Sequence, residues 1–212
     1  MGTVYHEIGT PRDCALVQTD CGRLYWGSEH EPGDWAGSVF HAALMGDVAT
    51  LKRIVNSNLD VATPAGASAM HFAVAGNQLE TVLFLAKRMK RPHAPDTSGT
   101  APLALACRYG HTEVAAALIA AGALVGAVDR QGGTCLHEAA LFGQRDTARM
   151  ILEYVADPRM APLLGHVLWV GNSVGYTCYD LAVGAEHSET ADLIFSFMKS
   201  DCDSKPLTCL FV

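Results

Sequence analysis

Small and apolar residues recur along the chain in short bursts that each end at a break: HAALMGD, HFAVAGN, LALACRYGH, LHEAALFGQ and YDLAVGAEH. The breaks fall at Gly46, Asn77, Gly110, Gly143 and Glu186, spaced by 31, 33, 33 and 43 residues. A second apolar stretch follows each break, namely LKRIV, TVLFLA, VAAALIA, TARMILEY and TADLIFSF. Two apolar stretches around a turn predict a pair of short helices, and the repeated spacing predicts a stack of such pairs. One pair cannot bury its apolar face alone, so stability has to come from its neighbours.

Two of the units carry a more specific pattern. GGTCLHEAALFGQRDTARMILEYVAD, and DTSGTAPLALACRYGHTEVAAALIAAGALVGAVD before it, resemble the ankyrin repeat in its D-x-x-G-x-T-P-L-H, G-H-x-E-V and G-A-D-V-N-A signatures. The resemblance implies an all-α fold, an ankyrin-repeat solenoid of stacked helix-turn-helix units over residues 38–198. Units are expected near 38–62, 63–95, 96–128, 129–157 and 172–198, with an insertion at 158–171 and a tail at 199–212. In the family pattern a threonine hydroxyl pairs with the histidine three residues on. Here the matching pairs are Ser68 with His71 and Thr134 with His137, while Thr177 and Asp180 keep a capping spacing. The third unit has Ala101 and Ala104 instead, and losing both partners together leaves no orphaned polar group. Asn77 replaces a turn glycine, and asparagine is the next best residue in a left-handed turn.

Residues 1–37 form an extension in which CALVQT and RLYWG flank Asp20, Cys21 and Gly22, a pattern that predicts a short β-hairpin packed on the first repeat. The insertion, PRMAPLLGHVLWVG, is too apolar for a solvated loop; it either covers the stack or docks a partner.

Composition narrows the function. Half of the 212 residues are hydrophobic and the net charge is −7, which suits a globular domain and disfavours a general nucleic-acid binder. Only residues 38–91 have a basic balance, six cations against three carboxylates. The start MGTVYHEIGT has no secretory pattern, so a cytoplasmic location is expected. The apolar run 114–128 is shorter than the roughly 20 residues a membrane span requires. Seven cysteines at 14, 21, 107, 135, 178, 202 and 209 make no CxxC pair, so neither a zinc site nor a disulfide scaffold is expected. Phosphate loop and HExxH motifs are absent from the sequence; no catalytic residues, metal or cofactor are expected. His71 and His137 read as structural, each beside a hydroxyl at a helix start.

The resemblance then points to a non-catalytic protein-binding module whose concave face meets a protein partner, as scaffold, adaptor or regulatory subunit. Carried over position by position, the contact residues are Leu44, Met45, Arg108, Tyr109, Arg130, Gln131, Leu141, Phe142 and Tyr176. Arginine and aromatic side chains of this kind are the usual anchors of binding hot spots. Alternatives are a permanent subunit of a large assembly, or an inhibitor or assembly chaperone that masks a partner's surface; the chain is expected as a monomer or within a hetero-complex. Lys87, Arg88, Met89, Lys90 and Arg91 resemble a nuclear-import motif, and they equally end a helix where cations offset the dipole. Cys209, Leu210, Phe211 and Val212 resemble a prenylation box with an unusual last residue, which makes Cys209 a lipidation candidate; Leu210 and Val212 equally suit a PDZ-type groove.

Overall fold

All five expected breaks are left-handed turns: φ is +76° at Gly46, +53° at Asn77, +72° at Gly110, +66° at Gly143 and +62° at Glu186. Each turn joins the two helices of a pair, and the spacing seen in the sequence is therefore the spacing of backbone reversals. The structure is a computed structural model that describes residues 4–5, 15–18, 24–27, 39–54 and 59–204. It divides into two compact units, Met1–Ser98 and Gly99–Val212. The described residues are mostly helical, as an ankyrin-repeat solenoid requires.

In the first unit, strands β1 (Val4–Tyr5), β2 (Ala15–Gln18) and β3 (Leu24–Gly27) form an antiparallel sheet in chain order, with Leu16 opposite Trp26. Two helix pairs follow, α1 (Val39–Met45) with α2 (Val48–Ile54), and α3 (Ala69–Ala75) with α4 (Leu79–Arg88). Helix α1 packs on α3 and α2 on α4. Small residues permit the approach: Ala42, Ala43, Ala69 and Ala73 are buried beside Leu51, Met70, Val74 and Leu85. A β-carbon on Gly76 would overlap the Leu44 carbonyl oxygen, so this position serves the close approach of α1 and α3.

The second unit holds α5 (Pro102–Tyr109) with α6 (Thr112–Ala120), α7 (Cys135–Leu141) with α8 (Arg145–Val155), and α10 (Cys178–Gly184) with α11 (Ser188–Ser204). Helix α9 (Ala161–Trp169), preceded by a 3-10 turn at Pro158–Met160, forms within the insertion. First helices stack on first helices, α5 on α7 and α7 on α10, and second helices on second helices. Leu118, Leu136, Ile151, Leu152 and Ile194 are fully buried between them.

Of the two readings open for the insertion, covering the stack is the one observed. Helix α9 packs on α8, α10 and α11, and Val167 and Leu168 are fully buried. The Trp169 indole Nε1 donates to Asp201 Oδ2 at 3.0 Å, which fastens α9 to the end of α11. That contact lies beyond the length of the other second helices and gives α11 a reason to run on for 17 residues.

Candidate functional site

The candidate surface is built on turns that precede first helices, and each turn is held by one side chain. Asp129 Oδ1 accepts from the backbone N–H groups of Gln131 and Gly133, both at 2.8 Å. Asn172 Oδ1 does the same for Val174 and Tyr176, both at 3.0 Å. The Ser173 N–H donates to the Gln131 carbonyl at 2.7 Å, so consecutive turns are joined backbone to backbone. The first unit repeats the arrangement: the Thr97 N–H donates to the Ala65 carbonyl at 2.9 Å.

The histidines complete this framework. His137 Nδ1 accepts from the Thr134 N–H at 3.2 Å and lies 2.9 Å from Thr134 Oγ1. An accepting Nδ1 leaves the proton of the neutral ring on Nε2, which donates to the Tyr176 carbonyl at 3.2 Å. Burial holds the His137 pKa below the ordinary histidine value and favours that neutral form. Ser68 and His71 make the same local pair, with Oγ to Nδ1 at 3.0 Å. Both histidines are buried and bonded to the backbone, a structural role.

Seven of the nine contact residues expected from sequence lie in the second unit. Phe142, 46% exposed, follows Leu141, 42% exposed, at the end of α7; Tyr176, 53% exposed, lies on the next turn, beside an exposed Val174. Arg130 and Gln131 are exposed on the turn before α7. Arg108 is different: its Nε donates to Glu138 Oε2 at 2.8 Å, and both side chains are largely covered. The same guanidinium lies 5.6 Å from the centre of the Phe142 ring, a cation–π contact that orients the ring. Tyr109 is half-buried with its ring 5.7 Å from that of His111. In the first unit Met45 is half-buried, and Leu44 is buried with the core. Sequence reasoning missed Glu138 as the partner of Arg108.

Of the described cysteines only Cys202 is exposed. Cys107, Cys135 and Cys178 are buried free thiols. Burial, with a hydrogen bond to Cys135, pushes the Cys107 thiol well above its ordinary range, and burial pushes Cys178 up to about 12. Neither is a ready nucleophile. Among the described residues no three His, Cys, Asp or Glu side chains are grouped to hold a metal ion. No described helix is long and apolar enough to cross a membrane. Cys209 lies outside the described residues.

Residues 88–161 match the family described as ankyrin repeats, in three copies. A mouse protein named protein phosphatase 1 regulatory subunit 27 is 36% identical over 81 residues, covering 37% of this chain and 53% of its own. An Arabidopsis thaliana protein named "Putative E3 ubiquitin-protein ligase XBAT31" is 28% identical over 180 residues, 81% of this chain and 38% of its own. A Treponema pallidum protein named "Putative ankyrin repeat-containing protein" is 42% identical over 90 residues, 42% of this chain and 27% of its own. This chain thus spans between about a quarter and about half the length of these relatives.

Proposed function

We propose that this chain, which carries ankyrin repeats across residues 88–161, is a non-catalytic adaptor or regulatory subunit that binds a protein partner through its second unit. The observation that carries the reading is that Leu141, Phe142, Val174 and Tyr176 are four exposed apolar side chains on consecutive repeats. Exposed apolar side chains on repeats that also present the polar Arg130 and Gln131 suit a recognition site. The framework beneath is preorganised by the Ser173 to Gln131 backbone bond and the His137 to Tyr176 bond, which reduces the ordering cost of association. Arg108 contributes by holding Phe142 and Glu138 in place. The relative named as a phosphatase regulatory subunit supports a regulatory role of this kind.

Paired affinity purification from native cells tests the proposal, with wild-type bait against bait carrying Leu141→Ala, Phe142→Ala and Tyr176→Ala. A partner lost only with the altered bait, at an unchanged melting temperature, supports this surface. A partner retained at full strength moves the site elsewhere on the chain.

A further inference from the structure

The first unit carries a cationic face on a chain whose net charge is −7. Lys52 and Arg53 on α2, Lys87 and Arg88 in the last turn of α4, and Lys90 and Arg91 just beyond it are all exposed. Helices α2 and α4 pack on one another, and the 31-residue spacing sets Lys52 level with Leu83 and Arg53 level with Phe84. Four residues on along α4 come Lys87 after Leu83 and Arg88 after Phe84, each pair sharing one helical face. One row therefore runs through Lys52, Leu83 and Lys87, and the other through Arg53, Phe84 and Arg88.

These cations are not paired with the protein's own carboxylates. Among the described residues none of the six forms an ion pair. Residues 38–91 hold three carboxylates. Asp47 accepts from the N–H and hydroxyl of Thr50. Asp60 Oδ1 accepts from the backbone N–H groups of Lys90 and Arg91 at 2.9 and 3.4 Å. Glu80 stands in the first turn of α4, roughly 10 Å along the axis from Lys87.

The cations are also held in position. The Asp60 bonds tie the backbone after α4 to the loop after α2, and Met89 between the basic pairs is buried. The Arg88 guanidinium lies 5.9 Å from the centre of the Phe84 ring. Fixed cations in two rows match carboxylates spaced along an extended or helical segment, and Leu83, 45% exposed among them, matches an apolar residue of that segment. A nucleic-acid backbone leaves Leu83 unmatched. One exposed leucine is also less than the apolar face with which a helix enters a bilayer interface.

We propose that this face binds an acidic segment of a protein partner, with carboxylates on the six cations and an apolar side chain on Leu83. It is separate from the exposed residues Phe142 and Tyr176 of the second unit, so either reading can fail without the other.

Fluorescence anisotropy of the full chain tests the site with a panel of labelled peptides, glutamates interrupted by leucine at varied spacing. Lys87→Gln with Lys90→Gln and Arg91→Gln is expected to weaken binding about tenfold, each lost pair contributing a few-fold, and added salt weakens it further. Arg149→Gln with Arg159→Gln and Lys199→Gln, an equal change of charge in the second unit, keeps full affinity. Leu83→Ser weakens binding of the peptides that carry leucine and not of those with serine in its place. Thermal melts by circular dichroism restrict the comparison to folded chains. Equal loss in the two triple variants overturns the proposal, because net charge alone then attracts the peptide. Absence of binding by the wild-type chain overturns it too. So does tighter binding to phosphatidylserine vesicles or to single-stranded RNA that the first triple variant abolishes, for the face then serves a membrane or a nucleic acid. Binding gained only after Glu29→Gln, Glu31→Gln and Asp34→Asn assigns the face to the chain's own acidic residues and overturns it as well.

Discussion

Arg108 and Glu138 are bound across consecutive repeats: the guanidinium Nε lies 2.8 Å from the carboxylate Oε2, with side chains only 15% and 13% exposed. A charge-assisted bond in this degree of cover is stronger than a surface ion pair. Truncating Arg108 to alanine is expected to cost about 1–3 kcal/mol, much of it from leaving Glu138 unpaired. A double-mutant cycle with Glu138→Ala, read from urea midpoints, should give a coupling of about 1–2 kcal/mol. Additive single effects would mean that the two side chains act independently.

The Thr134 and His137 pair predicts a cost of similar size. Thr134→Ala removes the hydroxyl beside Nδ1 and should lower stability by about 1–2 kcal/mol. His137→Leu also removes one of the two bonds accepted by the Tyr176 carbonyl, leaving that from the Asn172 N–H, and should cost at least as much, with faster exchange at the 172–176 turn. An equal effect of both substitutions confined to α7 would remove His137 as a link between repeats.

His137 also gives the fold a pH dependence. Its folded pKa lies below the ordinary value of 6.5 because burial disfavours the charged ring. The unfolded chain therefore binds more protons in the window below pH 6.5, and stability rises with pH there. This contribution is fully present above that value and is lost as pH falls through the depressed folded pKa. Chemical denaturation from pH 7.5 downward should show the loss, and His137→Asn should flatten the slope. A slope that survives the substitution would trace to other groups.

Trp169 and Asp201 predict a local effect. Asp201→Ala should release the indole and speed amide exchange over the last turns of α11 while leaving α5 to α7 unchanged. Global stability should fall by about 1–3 kcal/mol, because Asp201 is buried and Trp169 loses its acceptor. Trp169→Phe should produce the same local pattern; protection at α11 in both variants would show that α9 is held by Val167 and Leu168 alone.

The backbone at Gly76 supplies a further test. A β-carbon there would meet the Leu44 carbonyl, which is backbone and cannot give way. Gly76→Ala should destabilise the first unit by roughly 1–3 kcal/mol, as overpacking does. A neutral result in thermal melts would show that α1 and α3 can separate without loss.

The repeats were legible because their punctuation is local. A left-handed turn selects glycine or asparagine on steric grounds, and such residues mark Gly46, Asn77, Gly110 and Gly143. Glu186 shows the limit: φ is +62° at a residue with no such preference, and only the apolar stretches around it located the turn. The burial of the expected contact positions was less legible. Arg108 had the type expected of an exposed anchor, yet Glu138, thirty residues away, covers it. Leu44 sat in the register of the recognition positions and is part of the core. Choosing between core and surface for such residues depends on which side chain the neighbouring repeat brings up, and periodicity does not encode that. The apolar insertion had the same ambiguity, because burial against α8 and binding to a partner demand similar side chains.

Successive turns are joined by main-chain groups, Ser173 to Gln131 and Thr97 to Ala65, and their shape is kept by Asp129, Asn172 and Asp96 beneath. The exposed side chains at the tips take no part in these bonds. Arg130, Gln131, Val174 and Tyr176 can therefore be rewritten freely, as letters on a fixed ruler. Point changes at these tips would leave the folding of the underlying stack as it was.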